Sequence, residues 1–223
     1  SSDLQGCCGA LHQHSGELRK ANALMQRNTA AFDVSSLDAI ISTASGCGAM
    51  LSEYAMLLPD SRDARLFTNK IKDVGRFVIN SPWPAHAKLT ALDARVAIHT
   101  PCTQLNVLRD ADSTCQLLER IPGLKLSTLP DNDRCCGAAG VYFLTHPTMA
   151  KTLRDRKLQK LASSRPDILA TSNIGCAMHL QDGLQTARLD TEVVHPMVLI
   201  ARQLRIDGPS RAQDRSVGID PAG

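Results

Sequence analysis

Two adjacent cysteines followed by glycine occur twice in this chain, as Cys7-Cys8-Gly9 in "QGCCGALHQH" and as Cys135-Cys136-Gly137 in "RCCGAAG". Each doublet is followed at almost the same interval by a single cysteine in a similar frame. From Cys8 to Cys47, in "TASGCGAML", is 39 positions; from Cys136 to Cys176, in "TSNIGCAMHL", is 40. The pattern reads as an internal repeat with cysteine at its fixed points. Adjacent cysteines rarely bond to each other, because the ring they would close is strained, and the glycine lets the backbone turn tightly after each pair. Patterned cysteines outside small secreted scaffolds more often serve metal or redox chemistry than disulfides. A reducing, cytoplasmic setting is therefore expected.

The bulk properties leave that reading open and close others. A chain of 223 residues, 43% hydrophobic and 21% charged, can bury the core of one large domain or two smaller ones. A net charge of +3 with 3% aromatic residues argues against nucleic acid as a partner. No stretch reaches the roughly 18 apolar residues of a membrane span. No signal peptide is read at the N-terminus, and a start inside a motif at Ser1 suggests a fragment or a processed chain.

Strand and helix patterns alternate through both halves. In the first, a helix is expected from Ser15, as N-cap, to Phe32, then a buried strand over Leu37–Ala44 delivering Cys47. Helices follow from near Ala49 to before Pro59 and from Ala64 to Ile79. The Pro-rich "SPWPAHAKLT", anchored by Trp83, marks the boundary, giving a first repeat over 1–84 and a second over 85–205. The second begins with a strand from Ala94 towards Pro101 and Cys102, then a helix over Leu108–Ile121 on whose apolar face Cys115 reads as a buried core thiol. A strand in "LKLSTLP", the second doublet, a helix opening at Pro147, a strand in "PDILATSN" and a last helix near Pro196 complete it. Residues 206–223 read as a disordered tail. The fold class expected is α/β, two pseudo-symmetric cysteine-rich repeats with parallel sheets, their sites outside the carboxyl ends of the strands.

In the second half the candidate donors are Cys102, Cys135, Cys136 and Cys176. Cys102 and Cys135 are 33 positions apart, so only a fold can gather the four. Four thiolates suit an iron–sulfur cluster or a structural zinc, and ligand softness does not separate the two. A redox-active thiol pair is the third option. In the first half, counting the same interval back from Cys7 passes beyond Ser1, leaving Cys7, Cys8 and Cys47 as a three-cysteine remnant of a metal site. His12 and His14 follow Cys8 and read best as bordering a helix start. His99, three before Cys102, and His179, three after Cys176, could replace a ligand, although backbone hydrogen bonding is the ordinary use of such residues. Arg109, Arg154 and Arg156 could be imagined binding a carboxylate, but solvated helix faces explain them as well. There is no G-x-G-x-x-G and no P-loop, and no catalytic residue is assigned to this chain.

Taken together, "QGCCGALHQH", "TASGCGAML", "HTPCT" (His99–Thr103), "RCCGAAGVYFLTHP" (Arg134–Pro147) and "TSNIGCAMHL" resemble the C-terminal part of the glycolate oxidase iron–sulfur subunit, in the cysteine-rich CCG domain family. With their intervals they cover nearly everything from Gln5 to Arg205. Lactate-utilisation proteins and the cysteine-rich subunit of heterodisulfide reductase are related. The resemblance implies a non-flavin subunit of a complex that oxidises glycolate to glyoxylate. FAD would sit on partner subunits only, and electrons would pass through iron–sulfur clusters, 4Fe-4S in the family, towards a membrane quinone. Such a handover implies a cytoplasmic protein at the inner face of the membrane. The family's ferredoxin-like clusters lie in an N-terminal region, and no C-x-x-C-x-x-C run exists here. The heterodisulfide reductase pattern ends each unit with C-x-x-C; here Asn173 and Ala44 stand at those places, which argues against disulfide-reducing chemistry. Lactate as the substrate, and a zinc-stabilised docking module as the role, remain the alternatives.

Overall fold

The computed structural model describes residues 3–206, so the expected tail lies, beyond its first residue, outside the described residues. The first half runs α1 (Ala10–His14), α2 (Leu18–Ala30), β1 (Ile40–Ser42), α3 (Ser45–Ser52), α4 (Tyr54–Leu57), α5 (Arg62–Lys70), β2 (Ile71–Asp73) and α6 (Val74–Asn80). There follow β3 (Ala87–Leu89), β4 (Arg95–Ile98), α7 (Cys102–Asn106), α8 (Ser113–Leu118), β5 (Lys125–Thr128), α9 (Tyr142–Thr145) and α10 (Pro147–Ser164). The chain then passes through β6 (Ile168–Ala170), α11 (Ile174–Thr186), β7 (Glu192–Val194), α12 (Pro196–Gln203) and β8 (Leu204–Ile206).

The parallel α/β architecture is the one expected. Four strands form a parallel sheet in the order β5-β4-β6-β7, with Val96 opposite both Leu126 and Ile168. Successive side chains of a strand point to opposite faces, and the burial follows that rule. Val96, Ile98, Ile168 and Ala170 join one core with Leu117 and Leu118 of α8 and Leu199 and Ile200 of α12. Ala97 and Leu169 face the other, with Leu158 and Leu161 of α10 and Leu180 and Leu184 of α11. A sheet covered on both faces can be parallel throughout, because the crossover helices shield it. A third core holds Ala21 and Met25 of α2, Ile40 of β1, Met50 of α3, Tyr54 and Phe67, with Tyr54 and Phe67 stacked at 5.5 Å.

Four local expectations are corrected. The helix expected over 64–79 is two helices with β2 between them, because β1 takes Ile71–Asp73 as its parallel partner, Ile40 opposite Ile71 and Ser42 opposite Asp73. The Asp73 carboxylate then caps α6, accepting from the N–H groups of Gly75 at 2.8 Å and Arg76 at 3.2 Å. Ser15 does not open a helix; it closes α1, its N–H reaching the Leu11 carbonyl, and α2 starts at Leu18 after Gly16 turns with φ 76. The helix expected over Leu108–Ile121 is confined to α8. Arg109 sits at φ 51, and the buried Asp110 carboxylate accepts from Ser113 N–H, so the chain turns there first. Cys115 is half-buried against the first core rather than enclosed in it. Trp83 does anchor the connector, donating from Nε1 to the Ala87 carbonyl at 2.6 Å with Arg120 over its ring.

Candidate metal centre

The carboxyl ends of β4, β5 and β6 point the same way, and each leads into one part of a cysteine cluster. β4 leads through His99, Thr100 and Pro101 into Cys102, the first residue of α7. β5 leads into the loop that carries Cys135 and Cys136, and β6 into Cys176, in the first turn of α11. Sites in open parallel sheets form at this edge. Asn173 fixes the first turn of α11, its side-chain oxygen accepting from the N–H groups of Gly175 at 3.0 Å and Cys176 at 3.3 Å.

Cys136 Sγ stands 3.1 Å from Cys176 Sγ, and both residues are buried. The thiols of Cys102 and Cys136 donate to the Cys135 sulfur, which holds Cys135 well below the ordinary thiol range. Cys102 is pushed up by that same bond and by burial, and Cys136 by its bonds to Cys135 and Cys176 and by burial. The backbone N–H of Gly137 also donates to Cys135 Sγ at 3.3 Å. The four sulfurs thus form one continuous chain. His99 completes the group: its ring nitrogen and the sulfurs of Cys136 and Cys176 lie within 4.8 Å of one another. Burial, with Lys157 adding to it, pushes the His99 imidazole down to about 3, so it is neutral at any ordinary pH.

Asn132 clamps the doublet loop to β4. Its side-chain oxygen accepts from Thr100 N–H at 2.9 Å, while its amide donates to the Ile98 carbonyl and the Thr100 hydroxyl. From α10, the Lys157 ammonium donates to the Asp131 carbonyl at 2.6 Å. Sequence reasoning overlooked both residues, since a lone Asn or a lysine on a helix carries no signal by itself. The "SN" ahead of "IGC" was a legible capping signal.

A second, smaller cysteine group forms at β1. Cys7 and Cys8 precede Gly9, whose φ of 86 starts α1, and Cys47 lies in the first turn of α3. The Cys8 thiol donates to Cys47, drawing Cys47 down to about 7, while that bond and burial push Cys8 up. Tyr54 donates to the Cys8 carbonyl at 2.7 Å and Asn28 to the Cys7 carbonyl at 2.9 Å, holding the turn. All three cysteines line a cavity of about 770 Å³, together with Phe32, Ile40 and Phe67. The groups are linked: Ser45 N–H donates to the Ser172 carbonyl at 3.1 Å.

The other candidates fall outside these groups. His12 is tied to Glu17 at 2.6 Å, as a residue bordering a helix start would be, and His14 lies exposed at the end of α1. His179 Nε2 is bonded to the Ala150 carbonyl at 3.1 Å. Arg154 is buried and paired with Asp155 and Asp182, so it is not available to a substrate carboxylate. Arg109 and Arg156 are exposed.

The donor set fits a soft metal centre. All eight cysteines are free thiols, and four of them meet in a row with a neutral imidazole beside them. Fold and site together define an α/β protein that gathers thiol donors at the carboxyl edge of a parallel sheet. A family model described as "Cysteine-rich domain" (CCG) matches residues 1–52 and 96–181, and the chain belongs to that family. It is 34% identical over 190 residues to the glycolate oxidase iron-sulfur subunit of Escherichia coli, covering 82% of this chain and 46% of that protein. A probable glycolate oxidase iron-sulfur subunit of Bacillus subtilis is 33% identical over 195 residues, covering 85% and 44%. Lactate utilization protein A of Halalkalibacterium halodurans is 25% identical over 207 residues, covering 91% and 84%. The chain spans less than half the length of the two glycolate oxidase relatives.

Proposed function

We propose that this chain is part of an iron–sulfur electron-transfer subunit of a flavin-dependent 2-hydroxy-acid dehydrogenase, with glycolate as the substrate oxidised on a partner subunit that carries the FAD. The electrons go on to a quinone-type acceptor at the inner face of the membrane. The observation that carries the reading is the continuous row Cys102–Cys135–Cys136–Cys176, closed by the 3.1 Å contact between its last two sulfurs. The names of the relatives supply the substrate and the cofactor. Among the described residues no helix is long and apolar enough to cross a membrane.

When bound, an iron–sulfur cluster takes up and releases single electrons. The part of this chain is to hold and tune it. Cys102, Cys135, Cys136 and Cys176 are its ligands, with Cys7, Cys8 and Cys47 contributing to a second metal site. The Gly137 N–H aimed at Cys135 Sγ would stabilise added charge on that sulfur, and burial of Cys136 and Cys176 keeps water away.

Anaerobic reconstitution with iron and sulfide tests the reading. The expected result is the broad visible absorbance of sulfide-bridged iron, with iron and acid-labile sulfide by analysis, both lost in Cys136→Ser. A zinc-stabilised docking module is the second reading, favoured by the tight His99, Cys136 and Cys176 group. Stoichiometric zinc uptake with no iron would put it first.

A further inference from the structure

We infer that His99 is a nitrogen ligand of the centre formed by Cys102, Cys135, Cys136 and Cys176, so that this centre is a mixed imidazole–thiolate site rather than an all-cysteine one. The inference rests on the reading above only in taking this four-cysteine centre to bind a metal.

His99 is placed as a metal-bound histidine is placed. It lies one residue past β4 and is 2% exposed, and its backbone N–H donates to the Ala170 carbonyl at 2.9 Å. The main chain is therefore pinned to the neighbouring strand. Its ring is pinned as well, because Nδ1 and the Thr171 hydroxyl are 2.9 Å apart. Metal-bound histidines typically spend one ring nitrogen on such a partner, which fixes the tautomer and ring plane and leaves the other nitrogen for the ion. Here the nitrogen left is Nε2. One ring nitrogen of His99 and the sulfurs of Cys136 and Cys176 already lie within 4.8 Å of one another, the span in which one ion can reach all three.

The structure also separates His99 from its rival. His179 is buried nearby, but its Nε2 is bonded to the Ala150 carbonyl and its ring packs 5.9 Å from Phe143. A buried imidazole facing two sulfurs with no carboxylate beside it is a soft, neutral addition to the donor set.

The test uses the 223-residue chain with 15N-histidine or unlabelled histidine, loaded anaerobically with iron and sulfide and then reduced with dithionite to its paramagnetic state, and separately loaded with cobalt(II). Pulsed EPR reads any nitrogen bound to the paramagnetic ion. The expected result is a strong nitrogen coupling that changes with the isotope, persists in His179→Gln and is lost in His99→Gln. The isotope comparison needs no variant, so a misfolded His99→Gln does not block it. Absence of histidine coupling in the loaded unsubstituted chain, or its survival in folded His99→Gln, overturns the inference. If iron is refused but cobalt binds with the coupling, the iron–sulfur reading fails and the His99 ligand stands. Refusal of both ions overturns both.

Discussion

A methyl group at Gly137 would stand 2.5 Å from the carbonyl oxygen of Ala150, and the backbone there already has φ +94. The third residue of the second doublet is thus held against the first turns of α10, with no room for a side chain. Gly9 occupies the matching place in the first doublet at φ +86, yet a methyl there would meet the Ala21 carbonyl at 3.4 Å, an ordinary contact.

The two glycines should therefore respond differently to alanine. Both substitutions incur about 1–3 kcal/mol for a left-handed backbone. Gly137→Ala adds about 1–3 kcal/mol of overpacking against a backbone atom that cannot rotate away. Urea unfolding of the metal-free chain should rank Gly137→Ala well below Gly9→Ala. Equal losses would mean that α10 can shift to make room.

Asn132 is expected to matter for metal rather than for folding alone. Asn132→Ala leaves the Thr100 N–H without its partner at 2.9 Å, a loss of about 1–3 kcal/mol. It also unties the doublet loop from the end of β4. Outer residues that orient ligands typically contribute roughly 10–100-fold to metal affinity. Chelator competition on Asn132→Ala should show a weakening of that order. Unchanged affinity with reduced stability would make Asn132 a purely structural clamp.

The cysteine intervals pointed to which cysteines the fold brings near one another, because side chains that meet at one sheet edge recur at fixed places in the sequence whatever lies between. The parallel sheet was legible too, since Val96, Ile98, Ile168 and Leu169 read as strands buried on both faces. The break at Ile71–Asp73 was not. Leu66, Phe67, Ile71, Val74 and Val78 keep a helical period, and only the need of β1 for a neighbour overrides it. The capping aspartate at 73 was the one local sign. His99 was noticed three residues before Cys102, but its closeness to Cys136 and Cys176 depends on β4 lying beside β6, a pairing between distant segments. Asn28 and Tyr54, which hold the first doublet, left no trace in the sequence for the same reason.

The pH dependence of stability offers a test at His195. Its Nδ1 accepts from Met197 N–H at 3.1 Å to cap α12, and burial holds its pKa below the ordinary 6.5. Above that value both folded and unfolded chains carry a neutral ring, so His195 has no effect on the slope. Below it the unfolded chain takes up the proton first, and stability falls until the folded pKa is reached. Asparagine also caps helices but does not titrate. The loss of stability between about pH 7 and pH 5.5 should therefore be smaller in His195→Asn than in the unsubstituted metal-free chain. Identical slopes would show that His195 protonates equally easily in both states.

The last prediction concerns the first doublet. Cys47 is drawn down to about 7 chiefly because the Cys8 thiol donates to its sulfur, against burial and the nearby Cys7, which both act to raise it. A thiolate is the nucleophile, so alkylation rate follows its titration. In the metal-free chain, iodoacetamide labelling of Cys47, read by peptide mass spectrometry, should rise through a midpoint near 7. Cys8→Ala removes the donor and leaves the raising influences in place, so the midpoint must move up, towards or past the ordinary 9.0. Labelling at pH 7 should then fall several-fold, roughly tenfold for every pH step by which the midpoint climbs once the thiolate is the minor form. A midpoint that stays near 7 in Cys8→Ala would show that the α3 N-terminus, not Cys8, activates this thiol.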